Sequence, residues 1–480
     1  MRVYNQFKIK YEAPDIIYAD NKKIIVAKDY IFEIFDYQGN KIGDFGYPEY
    51  YSHSSSVYDI KNNLIYSFAY ATQVTIYSTL SFSSKGFQLK YLERFNPVLG
   101  IIDVSKLQVI NYRVYDYPGY LGSMGGCISY LDNALYCSSE QKNATYFCKL
   151  PLDTILDNST WTMINLDFLT PENSFCLDVT YFKGYVYTLW LYYDTEVEVF
   201  RYYLIRFKPD LSEYEIIDEY AIPSADTKIL VWQGLDSDYK MIAYVEYVSK
   251  YDYETVYRIN WSYDGNTWDW IDIKYDYETA IWYIKILGKY IYVFAIITYP
   301  DGMPIICNIK VIDTSTKQIV DEYNLWQYGD YNNVKYSLYC KLKYWVNQLY
   351  TLGIYERVET PKRTDYFIQI YKPMKMIKMN LKYVHKLVLV TKKPYIELTI
   401  TDEEGYPVAN KKIEVYKVEG INTKNSPTGT YLTSLITDEK GKAYLDLTPY
   451  IGKKLVLGFR YEGELWSYVV FINMIIQYMV

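Results

Sequence analysis

Histidine is scarce in this chain, with two in 480 residues, His53 and His385. No pair of residues around them has metal-ligand spacing, and no Ser/His/Asp or Cys/His arrangement can be assembled. Both histidines read as structural, and no metal or cofactor is expected. Six cysteines are too few for a disulfide scaffold. No Gly-rich phosphate loop is present. A basic face is also missing: 50 Lys and Arg stand against 57 Asp and Glu, a formal net charge of −7. Neutralising phosphates needs a Lys/Arg stripe, so a sequence-independent nucleic-acid binder is excluded. No run of about 18 apolar residues occurs, so no membrane span is expected. Residues 1–8 lack the apolar stretch of a signal peptide, and none is expected.

Hydrophobic content is 50%, enough for folded domains with full cores. Tyrosine is the compositional outlier, at 62 residues. It suits strand positions, and it also gives large, stiff contact area at low entropic cost. The dominant pattern is a hairpin written seven times. Its first strand ends near an anchor at Phe35, Phe95, Lys149, Phe207, Trp261, Val311 and Tyr371, with steps of 60, 54, 58, 54, 50 and 60 residues. Two copies nearly coincide, Tyr-Leu-Glu-Arg-Phe-Asn-Pro at 91–97 and Tyr-Leu-Ile-Arg-Phe-Lys-Pro at 203–209. A period near 50 carrying strands and no helices predicts a seven-bladed β-propeller over residues 1–386.

Second strands are expected at 23–27, 63–68, 134–137, 184–190, 240–245, 288–294 and 347–353, read from a Gly or Asn turn followed by an apolar stretch with Tyr. Innermost strands precede them, as at 174–182, 279–287 and 334–344, rich in β-branched and aromatic residues. The strand at 4–10 is expected to complete the last blade and close the ring, which removes exposed sheet edges.

Ser262-Tyr263-Asp264-Gly265-Asn266-Thr267-Trp268 resembles an Asp box, one residue shorter than the usual spacing. In Asp-box propellers, sialidases among them, the motif occupies the turn between third and fourth strands, where the strand reading also puts it. Its chemistry is structural: Asp264 satisfies turn amides, Gly265 permits positive φ, and Trp268 buries under the hairpin, with Ser262 and Thr267 as the motif's other members. The arginine triad and Tyr/Glu nucleophile of sialidases have no match here.

Beyond Leu387 the period stops. Asp402-Glu403-Glu404-Gly405-Tyr406-Pro407-Val408 is followed by Thr437-Asp438-Glu439-Lys440-Gly441-Lys442-Ala443. This pair of turns resembles the Ig-like sandwiches of the carboxypeptidase-regulatory, CnaB and invasin-repeat kind. The resemblance implies an Ig-like β-sandwich over 387–480, ending in a last strand and a short apolar tail, and used as a spacer or stalk. The fold class is therefore all-β, a propeller followed by a sandwich.

Cys127, Cys137 and Cys148 are symmetric about two turns, which predicts one cross-strand row. That row is either a set of buried thiols or holds a disulfide between two of them. Sequons occur at Asn143, Asn158 and Asn260, the last within a strand. Loops from each fourth strand to the next blade, and from second to third strands, share one face. They carry Tyr50, Tyr51, Tyr117, Tyr120, Tyr328 and Tyr331. The hexapeptide Lys-Tyr-Asp-Tyr-Glu-Thr occurs twice, at 250–255 and 274–279, placing Tyr253, Asp276 and Tyr277 there too. Tyrosine beside carboxylates suits sugar stacking or protein contact.

The expected function is a non-enzymatic structural or attachment protein, with the propeller as binding head and the sandwich as connector. Abundant Tyr and Ile, Lys well above Arg, and the lack of low-complexity linkers resemble structural proteins of viruses infecting hyperthermophilic archaea, which implies a virion protein. Expected partners are other virion proteins, copies of itself, or a host-surface glycan or protein. The alternative is an extracellular glycan hydrolase or lyase, which a convergent acidic pair in the propeller channel would favour. A cytoplasmic interaction scaffold is the third reading.

Overall fold

The computed structural model describes residues 2–476, apart from 10–14, 29, 50, 72–80, 84–85, 89–95, 116–118, 122–127, 132, 142–143, 170–173, 224–229, 252–253, 299–305, 325–333, 346–347, 358–362, 373–376, 389–390, 423 and 464–465. Strands dominate the described residues, and none of these residues forms an α-helix. Alternating and fully apolar runs such as Ser174–Phe182 and Tyr185–Asp194 pair into antiparallel sheets with both faces buried.

The described residues form a β-propeller of seven successive four-stranded antiparallel units followed by a two-sheet sandwich. The first strands of the units are Asp15–Ala19, Tyr51–Asp59, Ile128–Leu131, Ser174–Phe182, Leu235–Ser237, Glu278–Leu287 and Val334–Trp345. Neighbouring first strands pack side by side through the first six units, and the seventh returns against the first. These strands therefore surround the axis. Arg2–Ile9 pairs antiparallel with Arg363–Lys372, so the N-terminal strand is the outermost strand of the seventh unit, as the sequence predicts. The short strand Val231–Gln233 adds in parallel to Glu278–Leu287.

Six of the seven hairpin anchors lie within the third strand of their unit: Phe35, Lys149, Phe207, Trp261, Val311 and Tyr371. The second unit is a correction. Residues 91–95, Phe95 among them, lie outside the described residues, and the unit's third strand is Asn96–Asp103, so the last two residues of the heptapeptide open that strand instead of ending it. The physical reason is burial: Val98, Leu99 and Ile102 are fully buried and supply the strand that local similarity had assigned further upstream.

The sandwich consists of one sheet, Ile377–Val388, Thr391–Asp402 and Lys442–Asp446, and a second, Pro427–Ile436, Lys412–Ile421, Lys454–Gly463 and Trp466–Ile475. Ile396, Leu398, Val415, Leu445, Leu457 and Phe459 fill the space between them. Ile377–Val388 pairs with Thr391–Asp402 along its whole length, so this sheet starts ahead of the break placed at Leu387. Its period of two is the same as that of a blade strand, which hides the change of domain. The two recognised turns are joined physically: Thr437 Oγ1 donates to Val408 O (2.8 Å) and accepts from Lys411 N (2.9 Å). Gly441 has φ +69°, and a Cβ there would stand 2.4 Å from Ile400 O.

Removing residues 1–9 should open the ring at the seventh unit. The expected outcome is a lower Tm and new proteolytic cleavage between residues 334 and 372; an unchanged Tm and cleavage pattern would show that closure contributes nothing.

Candidate functional site

The sandwich sits on the face made by the turns between first and second strands. The sheet of the third unit continues into it, with Tyr130 opposite Ile421 and Leu131 opposite Gly420. Asn473 Nδ2 donates to Lys61 O (2.6 Å) in the corresponding turn of the second unit.

From this face the tip of the hairpin joining Lys412–Ile421 to Pro427–Ile436 enters the channel. Asn422 shapes the tip, its Oδ1 accepting from Lys424 N (3.0 Å) and Ser426 N (2.9 Å). Lys424 is buried, and its Nζ donates to Asp178 Oδ2 (3.0 Å), Gln233 O (2.7 Å) and Leu235 O (2.6 Å). Asp236 Oδ1 accepts from Asn422 Nδ2 and Ser426 Oγ, both at 2.7 Å. Lys285 Nζ donates to Lys424 O (3.2 Å) and to Ser426 Oγ, and lies 3.9 Å from Asp236 Oδ2. Asp178, Asp236 and Lys285 each come from the innermost strand of a different unit. Burial pushes the Asp178 carboxyl up to about 6, against the opposing pull of the Lys424 ammonium.

A second buried cluster closes the rim. Arg460 donates to Asp238 Oδ2 (2.5 Å), Glu414 Oε2 (3.0 Å) and Glu462 Oε1 (2.9 Å). Its guanidinium lies 4.6 Å over the Tyr239 ring, and Tyr239 stacks on Tyr416 with centroids 4.0 Å apart. The Tyr239 hydroxyl donates to Glu414. Burial alone would raise Glu414, but that hydroxyl together with Arg460 and Lys240 holds it at about 2.

The opposite face carries the loops expected to make contacts. The described residues of the two Lys-Tyr-Asp-Tyr-Glu-Thr copies pair reciprocally. Lys250 Nζ of the first meets Glu278 Oε1 of the strand that the second leads into, at 2.8 Å, and Lys274 of the second meets Glu254 of the first. Asp276 and Tyr277 are exposed between them, and the Tyr277 carbonyl accepts from Thr255 and Thr279 hydroxyls. Tyr51 is buried: it packs edge-on against Tyr47 (5.4 Å) and donates to Glu49, so it fills the core of its unit. Tyr50, Tyr117, Tyr253, Tyr328 and Tyr331 lie outside the described residues, as does Cys127, and the Tyr120 side chain is not described. Tyrosine is prominent among the largest fully buried side chains, including Tyr136, Tyr187, Tyr202 and Tyr257, so much of the tyrosine excess serves packing.

The Asp-box-like turn lies between third and fourth strands of the fifth unit. Asp264 Oδ1 accepts from Asn266 N (2.8 Å) and Thr267 N (2.7 Å), and Ser262 Oγ accepts from Gly265 N (2.8 Å). These hydrogen bonds hold the Asp264 carboxyl far below its ordinary value. Gly265 has φ +82°, and Trp268 meets Tyr244 edge-on at 5.1 Å. Cys137 and Cys148 stand directly opposite each other, but Cys137 faces Ile128 on the other side, one residue beyond Cys127. Cys148 is a free thiol that burial pushes up to about 12, so no disulfide joins it to Cys137. His53 is buried beside Asp15, with Nε2 3.6 Å from Oδ2, and its Nδ1 pairs with Ser67 Oγ at 3.0 Å. Asn158 sits in a 3₁₀ turn and Asn260 is buried in a strand, while Asn143 and the His385 side chain lie outside what is described. Among the described residues no group of three or more His, Cys, Asp or Glu side chains could hold a metal ion, and no helix is long and apolar enough to cross a membrane.

Arg460→Met leaves Asp238, Glu414 and Glu462 without their shared cation. Breaking a buried pair is expected to destabilise by about 3–5 kcal/mol. Arg201→Met, on the surface pair Arg201–Glu219, is expected to lose roughly 0.2–1 kcal/mol. Chemical denaturation of both variants checks the contrast. Glu414 is depressed in the folded state, so its contribution is present above about 4.5 and disappears as pH falls toward about 2. The stability gap between wild type and Glu414→Gln should therefore close over that window; a gap independent of pH would contradict the assignment.

Comparison with known proteins gives no relative by sequence: no family model matches, and no curated protein matches. Similar solved structures include the extracellular domains 1–2 of Drosophila Semaphorin 1b, at 8% identity and TM-score 0.42, covering 77% of this chain and 87% of that one. The β-propeller domain of the Pyrococcus furiosus trilobed protease aligns at 9% identity and TM-score 0.37, covering 74% and 96%. The Nup133 β-propeller domain of Vanderwaltozyma polyspora aligns at 10% identity and TM-score 0.35, covering 74% and 92%. At these scores the propeller assignment rests on the sheet order of this chain itself, and the functions of those proteins do not transfer to it.

Proposed function

We propose that this chain is a non-enzymatic structural and attachment protein, a virion component of an archaeal virus, with the propeller as binding head and the sandwich as connector. The observation that carries the reading is the occupied channel. The chain's own hairpin fills it from one face, and Lys424, Asn422 and Ser426 use the carboxylates of Asp178 and Asp236. The opposite face remains for a partner. There the reciprocal Lys250–Glu278 and Lys274–Glu254 pairs stiffen a platform presenting Tyr277 and Asp276. Preorganised aromatic and carboxylate groups fit a second copy, another virion protein, or a host-surface glycan or protein. The connector role and the virion origin rest on the turn motifs and composition described above.

One observation favours a glycan-acting enzyme as the second reading: Asp178 and Asp236 converge in the channel, and burial lifts Asp178 to about 6, a value suited to acid catalysis. Lys424 already occupies Asp178 and Asn422 already occupies Asp236, which supports the structural reading over the catalytic one.

Replacing Asp276 and Tyr277 together with Ala should lower self-association or glycan-array binding at least several-fold at unchanged Tm, read by sedimentation and array fluorescence. Unchanged binding on both, with turnover of any arrayed glycan, would move the assignment to the enzyme.

A further inference from the structure

We infer that the propeller channel contains a receptor site for a primary ammonium group, and that Lys424 is the ligand occupying it. Every described group that hydrogen-bonds or faces the Lys424 ammonium belongs to the propeller. Asp178 Oδ2, Gln233 O and Leu235 O accept its hydrogen bonds at 3.0, 2.7 and 2.6 Å, and the Tyr283 ring faces it with the centroid 4.7 Å away. An alkylammonium has three donors, and the cradle offers three acceptors and one π face. One acceptor is an anion, so the buried charge is balanced within the site.

The cradle is built without help from the sandwich. Asp178 follows a β-bulge between Cys176 and Asp178, a device that re-aims a side chain, and Leu235 N donates to its Oδ2 at 3.0 Å. The carbonyls of Gln233 and Leu235 flank Gly234. Its own carbonyl accepts from Val245 N at 2.9 Å. Upstream, Val231 N donates to Tyr202 Oη (3.0 Å), and the segment is held in register by Val231–Ile281 and Gln233–Tyr283 pairing. Downstream, Leu235 and Ser237 pair with Tyr244 and Ile242. The acceptors are thus fixed by propeller backbone, which is what a preorganised ligand site requires.

The shape of the cradle also defines the ligand class. A guanidinium spreads five donors in a planar fork and cannot converge on three acceptors below one ring. A quaternary ammonium has no donor for the two carbonyls. A primary amine on a slender alkyl stem meets all of them. Beside the cradle, Asp236 anchors Asn422 and Ser426, which explains why the amine arrives on a hairpin tip.

Chemical rescue tests the inference on the full chain. Lys424→Ala removes the ammonium and stem, and should lower Tm by roughly 5 °C or more. n-Butylammonium chloride should restore at least half of that loss in a saturable manner. Tetramethylammonium chloride at equal ionic strength should not. The double variant Lys424→Ala with Asp178→Asn should show no rescue by either salt. An unchanged Tm in Lys424→Ala, absence of rescue, equal rescue by both salts, or rescue that survives Asp178→Asn would each overturn the site. If Lys424→Ala does not refold alone, refolding yield in the two salts is read in the same way.

Discussion

The structure depends on a charged hairpin tip held inside the channel of a β-ring. Burying Lys424 with Asp178, and Arg460 with Asp238 and Glu414, removes several ions from water at once. Such burial is tolerable only where each charge meets an opposite charge and hydrogen bonds at close range. Backbone pairing sets the Glu414–Arg460 pair, while the Asp178–Lys424 and Asp238–Arg460 pairs join the two domains. The interlock therefore selects one docking arrangement of the sandwich. Apolar contact alone would leave neighbouring arrangements close in energy.

Much of the fold was legible in the sequence because blade strands follow simple rules. A Gly or Asn turn followed by an apolar stretch with Tyr located the second strands, and Ser174–Phe182 was read with its observed bounds. The Asp-box-like turn was legible because Ser262, Asp264, Gly265 and Thr267 act within a few residues of each other. Local similarity misled in the second blade, where the buried run Val98–Leu99 outweighed a heptapeptide resemblance. The domain change ahead of Thr391 was hidden because Ile377–Val388 alternates like a blade strand.

The channel plug was not legible. Asn-Thr-Lys-Asn-Ser at 422–426 reads as an ordinary polar turn, and its partners in the propeller lie 139 or more positions away, the shortest separation being Lys285 to Lys424. The available signal was on the other side of the contact. Asp178 and Lys285 are charges within largely apolar stretches of inner strands, and a buried charge there needs a buried partner. Asp236, between Leu235 and Ser237, is a third such charge. Tyr51 was misread for a related reason: a tyrosine at a loop end looks like contact surface until its neighbours Tyr47 and Tyr112 bury it.

The central claim is that propeller and sandwich form one cooperative unit because the hairpin tip holds them together. Differential scanning calorimetry of the intact chain, beside a variant in which residues 421–427 are replaced by a short Gly-rich turn, tests it most directly. The account predicts a single transition for the intact chain, with calorimetric and van't Hoff enthalpies equal, and two separate transitions for the variant. Two transitions in the intact chain, or one in both, would contradict it.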